Sequence, residues 1–218
     1  MRPTPRVRGA VLALASLATA SFTVPVAGSA AARPDAPDPT ASVAAPSTHS
    51  ERLNVRVGQT AVVRGRAARG RSVVLERRRE GRWRTIDRAR VDATGRYELR
   101  HRPRSASSGR VRVRVTGTDA ARRIGRMNVY RRSFASWYGP GFYGKRTACG
   151  QTVSDSIRGV AHKTLPCGTR VTLRKGDRIV RARVIDRGPF HAGREFDLTP
   201  AVKRALRFGS TGPVEVAL

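Results

Sequence analysis

The sequence predicts an all-β protein: a small immunoglobulin-like β-sandwich followed by a small closed β-barrel with one or two short helices. Three observations lead there. From Leu53 to Val115, apolar and polar residues alternate in short runs bounded by Gly, Ser or Asp-Ala-Thr-Gly turns, the period of half-buried strands. From Phe134 onward, further strand-like runs alternate with Gly-rich turns and a single well-bounded helix. Before Leu53 neither period occurs.

At the start of the chain, Arg2, Arg6 and Arg8 precede the apolar stretch "GAVLALASLATASF", and small residues follow in "VAGSAAA". That is the form of a secretory signal, expected over residues 1–32. The apolar run falls short of the roughly 20 residues a bilayer requires, and no later segment supplies a span. The mature chain is therefore expected to be exported, to the cell wall or the medium. Residues 33–50, "RPDAPDPTASVAAPSTHS", mix Pro, Ala, Ser and Thr without an apolar period and read as a disordered linker.

Residues 51–131 form the first expected domain. Its runs are "LNVRVG", "TAVVRGRA", "RSVVLERRR", "RWRTIDRARV", "GRYELRHR" and "GRVRVRVTG", six or seven strands at sandwich spacing. Trp83 and Tyr97 fall on its apolar positions and are expected in the core. His49 and His101 have no neighbours that suggest chemistry. Most of the formal charge of +29 lies here: residues 51–132 hold 25 Lys and Arg against 7 Asp and Glu. Such a field attracts dense anionic polymers. Export argues against nucleic acid, leaving envelope polymers or anionic headgroups as partners. Arg rows such as that of "RVRVRV" are either ordinary solvated faces with edge protection or a platform for such polymers.

The last domain, residues 134–218, offers the strands "FASWY", "TRVTLR", "RIVRARVI" and "PVEVAL", with Lys175, Gly176 and Asp177 as a tight connection. One helix is marked by Thr199 as cap, Pro200 in the first turn, "AVKRAL" as body and Gly209 as stop. The two cysteines, Cys149 and Cys167, lie near turns, and an oxidising destination makes one disulfide their simplest use. Zinc is disfavoured because four good ligands cannot be assembled around them.

Four blocks in this domain, "ASWYGPGFYGKRTACG", "VAHKTLPCGTRV", "VIDRGPF" and "GREFDLTPA", resemble the rare lipoprotein A (RlpA-like) family of septal lytic transglycosylases. The resemblance covers nearly all of residues 134–218 and none of the preceding domain. It implies a six-stranded double-psi β-barrel with an open groove for an extended glycan, and no metal or organic cofactor. It also implies peptidoglycan as partner, cleaved between N-acetylmuramic acid and N-acetylglucosamine without water to leave 1,6-anhydro ends. Within it, Asp186 matches the catalytic aspartate and His162 the essential histidine.

Such a cleavage needs one group that protonates the departing glycosidic oxygen and then takes the proton of the muramic acid 6-hydroxyl. A carboxyl sheltered at a strand end suits this; an exposed turn carboxylate that merely caps a Gly-Pro bend does not. His162 is either a holder of the acid or the sugar, or a satisfied barrel histidine. Asp197 is either a second carboxylate or a buttress of the following helix. Tyr138 and Tyr143 are expected as sugar platforms, and Arg187 and His191 as further substrate contacts.

Gln151 stands where the family has an acidic residue. An amide there keeps hydrogen bonding but loses charge, which favours a rival reading as a noncatalytic, expansin-like glycan-binding module. With neither a lipid-attachment cysteine nor a C-terminal peptidoglycan-binding repeat in the sequence, wall recruitment is expected to fall to the basic domain.

Overall fold

A computed structural model describes residues 43–218. The expected signal and residues 33–42 of the expected linker lie outside the described residues. In chain order the first elements are β1 (Ser47–Arg52), β2 (Asn54–Arg56), β3 (Ala61–Arg66), β4 (Ser72–Arg79), β5 (Arg82–Arg90), β6 (Arg96–His101), β7 (Ser107–Val115) and β8 (Ala121–Trp137). One sheet has the order β1-β3-β6, and the facing sheet has the order β5-β4-β7-β8 with β2 beside β8. The leading edge is split: β1 pairs antiparallel with β3, and β2 pairs parallel with β8. This is an immunoglobulin-like sandwich.

Its core follows from the alternation. Val111, Val113 and Val115 on β7 are fully buried and pack with Leu75, Leu99 and Met127 from both sheets. Each such side chain contributes about 1.5–3 kcal/mol when removed from water. Tyr97 is buried as expected. Trp83 is only half-buried, because it lies on the outward face of β5 with the Arg112 guanidinium 4.4 Å above its ring.

The end of the expected linker is a strand instead. Residues Ser47 to Arg52 pair with β3, a backbone ladder that polar residues satisfy as well as apolar ones. The Tyr97 hydroxyl secures this edge by donating to the Ser47 carbonyl at 2.7 Å. Gly65 makes the approach possible, since a Cβ there would overlap both groups.

Nor does the chain break between the expected domains near residues 131–134. β8 runs through: Ala121 to Val129 pairs with β7, and Arg131 to Ser136 pairs with the last strand. The remaining elements are a 3₁₀ turn (Pro140–Phe142), β9 (Gly159–His162), β10 (Arg170–Lys175), β11 (Arg178–Asp186), β12 (Phe196–Leu198), α1 (Pro200–Leu206) and β13 (Thr211–Ala217). Their order β12-β9-β11-β10-β13-β8 closes through β12 pairing with β8, giving a six-stranded barrel. The β9–β11 and β8–β12 pairs are parallel and the others antiparallel. Val171, Leu173, Val184, Phe196, Leu198 and Val216 fill it.

α1 covers one side with Val202 and Leu206 buried. Its start differs in detail from expectation. The Thr199 hydroxyl does not cap the helix; it donates to the Ile157 carbonyl at 2.6 Å and accepts the Gly159 N–H at 3.2 Å. The stop is Arg207, in the left-handed region at φ 47°, rather than Gly209.

Sandwich and barrel meet through polar contacts. The Thr172 hydroxyl of β10 donates to the Ser108 hydroxyl of β7 at 3.4 Å, and Ser108 in turn donates to Asn128 at 2.7 Å. Glu215 of β13 accepts from Arg174 at 2.6 Å and is also paired with Arg56 of β2.

Candidate active site

The strand that carries Asp186 is apolar where it enters the barrel, with Val184 and Ile185 buried. Its pairing with β9 slips between Val184 and Asp186, so Ile185 is an extra residue opposite the ladder. Such a bulge re-aims the following side chain. Gly159, the neighbour of Ile185 on β9, has no side chain because the isoleucine occupies that space.

Asp186 is half-buried. Its Oδ1 accepts two backbone N–H groups, from Ala148 at 2.8 Å and from Arg187 at 2.9 Å. Among the described residues none donates to Oδ2. Ala148 is held in place by the loop around it. Cys149 donates its N–H to the Ile185 carbonyl at 3.2 Å and is disulfide-bonded to Cys167. Thr147 and Gln151 close the turn, Thr147 N–H to the Gln151 carbonyl at 2.7 Å and Gln151 N–H to the Thr147 hydroxyl at 3.1 Å. The Gln151 amide is exposed and its Oε1 accepts from the Thr147 hydroxyl at 3.4 Å.

Tyr138 departs from its expected role. Its backbone N–H bonds the Leu198 carbonyl at 3.2 Å, and its ring is buried with Val153 and Ala161, so it offers no open platform. Its hydroxyl is buried and has no hydrogen-bond partner among the described residues. Burial first, then the carboxylates of Asp186 and Asp197, push its pKa well up, so it remains neutral. Asp197 sits on β12 opposite Ser136, which donates to its Oδ1.

Among the described residues His162 makes no hydrogen bond to Asp186. Its Nδ1 accepts the N–H groups of Thr164 at 3.1 Å and Leu165 at 3.0 Å, which puts the proton of a neutral ring on Nε2. Nε2 faces Glu195 Oε1 at 3.4 Å, and the ring packs on Phe196. Glu195 in turn is paired with Arg131 and accepts from Ser133 at 2.7 Å. These donors, Arg131 foremost, hold its pKa down at about 2. Sequence reasoning missed Glu195. It lies inside the quoted block "GREFDLTPA", but nothing in that block shows which histidine it will meet 33 residues away.

Arg187 serves the framework: its Nη1 donates to the Leu165 carbonyl at 3.0 Å and the His162 carbonyl at 3.3 Å, tying down the disulfide-bonded loop. Tyr143 is exposed and donates to Asp155 at 3.0 Å, which Arg204 also holds. His191 is exposed, next to Phe190, which is 81% exposed. Phe142 is exposed too, so Phe190, Phe142 and Tyr143 present open aromatic rings in the segments after Asp186 and before Cys149. A signal for Phe190 existed: a large apolar residue within the Gly-Pro turn that follows Asp186. Among the described residues no group of three or more His, Cys, Asp or Glu is placed to hold a metal, and no helix is long and apolar enough to cross a membrane.

Residues 131–218 match the family model described as lytic transglycolase. Similar curated proteins include the probable endolytic peptidoglycan transglycosylase RlpA of Synechocystis, 46% identical over 109 residues, 49% of this chain and 33% of that protein. The endolytic peptidoglycan transglycosylases RlpA of Campylobacter jejuni and Pseudomonas aeruginosa are each 43% identical over 38% of this chain, and over 31% and 25% of their own lengths. The chain thus spans a quarter to a third of the length of these relatives. A BSP domain of a biofilm associated protein aligns with 71% of this chain and 28% of its own at 12% identity, with a TM-score of 0.27, too low to bear on the fold.

Proposed function

Given that residues 131–218 form a domain of the RlpA-like double-psi β-barrel family, we propose that the protein acts on peptidoglycan as a lytic transglycosylase. Asp186 is the acid and then the base. In its acid form the Oδ2 proton passes to the glycosidic oxygen as the bond to the muramic acid anomeric carbon breaks. The carboxylate then takes the proton of the muramic acid 6-hydroxyl as that oxygen bonds the anomeric carbon, leaving a 1,6-anhydro end and consuming no water.

The observation that carries this reading is the asymmetry of the Asp186 carboxyl. Oδ1 is tied to two backbone N–H groups while Oδ2 has no donor among the described residues, so a single oxygen is available to carry a proton to and fro. Asp197, held by Ser136, is a second polar contact for the sugar. His162 acts by positioning: its ring and Glu195 brace the loop that Arg187 and the disulfide join to Asp186. The exposed rings of Phe190, Phe142 and Tyr143 give the glycan apolar faces to lie against. Export by the N-terminal signal would bring the protein to this substrate, and its basic sandwich would hold it near anionic wall polymers.

The test is mass spectrometry of digested sacculi. The protein should release anhydro-muramic products, and Asp186→Asn should lower their rate by about 10²–10⁴-fold without lowering the unfolding temperature. Binding of glycan with no anhydro product from the unmodified protein would sink the enzymatic reading and establish the second one, a noncatalytic, expansin-like glycan binder. The exposed amide of Gln151, where the family has an acid, is the observation that favours that alternative.

A further inference from the structure

The arginine rows of the sandwich do not remain equally available once folded. Arg112 and Arg114 of β7 both pair with the buried Glu76 of β4, at 2.6 and 2.9 Å, and Arg112 also covers Trp83. One carboxylate thus offsets half of their charge. A different set of arginines, drawn from both halves of the molecule, has no such compensation.

A cleft of about 510 Å³ lies where β7 and β8 of the sandwich face β10 and β11 of the barrel, lined by Arg110, Arg126, Arg158, Arg170, Arg181 and Arg183. A second hollow of about 390 Å³ shares Arg110, Arg126 and Arg181 and adds Arg123. Among the described residues none of these seven takes part in an ion pair, and no Asp or Glu lines either hollow. Arg110 and Arg126 are direct cross-strand partners, as are Arg170 and Arg183. Like charges set opposite each other destabilise a sheet. Burial, with Arg181, Arg110 and Arg170 around it, holds the pKa of Arg126 down. An arrangement that costs stability from within is relieved by an anion from without.

We propose that this junction cleft binds a phosphodiester-linked polyanion, as a site separate from Asp186. The chemistry selects the class. Guanidinium forks match phosphate oxygens bidentately. Arg181 and Arg183 project from one face of β11 two residues apart, about 7 Å along the strand, a repeat suited to successive charges on an extended chain. A concave cleft admits a thin chain rather than a flat bilayer. No aromatic residue lines it, so it lacks the stacking surfaces on which single-stranded nucleic acids rest. Arg183 precedes Asp186 by three residues, about 10 Å of strand, so a polymer held here tethers the protein with its barrel site nearby.

The test measures binding of fluorescent poly(glycerol phosphate) to the full chain. Comparison ligands of matched charge are polygalacturonate, a dT oligonucleotide and phosphatidylglycerol vesicles. Arg110→Gln/Arg170→Gln/Arg181→Gln, three exposed positions, should weaken binding at least tenfold and lower the slope of log K against log salt by about 2, at about 0.7 per lost contact. Arg69→Gln/Arg82→Gln/Arg88→Gln, equally exposed and removing the same charge, should change it less than twofold. The unmodified protein should prefer the glycerol phosphate chain at least tenfold over each comparison ligand. Equal loss in the two triple variants, or any other ligand ranking, overturns the proposal. If the cleft triple unfolds, the single Arg181→Gln substitution against Arg88→Gln decides the matter by the same criterion, with a threefold loss required. No turnover is measured, so failure here leaves the cleavage reading untouched.

Discussion

Removing the Cys149–Cys167 bridge tests how the acid is held. The two cysteines are 18 residues apart with Cα atoms 5.7 Å from each other. Cross-linking a loop of that length lowers the entropy of the unfolded chain by an amount equivalent to about 3 kcal/mol at 25 °C. For a chain of this size each kcal/mol moves Tm by about 2–4 °C, so Cys149→Ser/Cys167→Ser should lower Tm by about 6–12 °C. The shared strand β8 makes sandwich and barrel expected to melt in one transition, which calorimetry reads directly. The same change frees the loop whose Ala148 N–H holds Asp186 Oδ1, so the rate of anhydro-product formation should fall at temperatures well below the new Tm. A Tm lowered by less than about 2 °C, with the bridge verified in the parent, would refute the reasoning: Arg187 and the Thr147–Gln151 turn would then close the loop unaided.

Glu195 makes stability depend on acid. Its folded pKa of about 2 lies below the ordinary 4.5, so its contribution is complete above 4.5 and disappears as pH falls through 4.5 toward 2. Glu195→Gln should flatten the urea midpoint over that window and lower it at pH 7, as equilibrium unfolding would reveal. Gly159→Ala places a methyl group against Ile185, which should cost about 1–3 kcal/mol and displace Asp186; denaturant melts and the product assay should both register it. Restoring the acid with Gln151→Glu should raise turnover, and an unchanged rate would show that this position is idle here.

Much of this was legible locally. Alternation in "RVRVRV" places Val111, Val113 and Val115 inside because a strand's side-chain period is two whatever it pairs with. The four family blocks identified the barrel, and two cysteines near turns pointed to one bridge. The local signal failed where residues leave the pattern. "GVAH" of β9 is buried on both faces and "FDL" of β12 has three residues, so neither shows a period. Tyr138 lies just past the end of β8, where bonding to Leu198 rather than strand parity sets its direction.

What the sequence determined by itself, then, is composition and period: which stretches extend, which side chains go inward, how much positive charge the sandwich carries. Only the tertiary structure decided partners. His162 meets Glu195 rather than Asp186, and Glu76 pairs with Arg112 and Arg114 while Arg110, Arg126, Arg170 and Arg181 are left without an acidic partner among the described residues. The reason is physical. Strand alternation is a property of each backbone segment, whereas charge pairing depends on register between strands tens of residues apart, and a bulge of one residue at Ile185 re-aims whatever follows it.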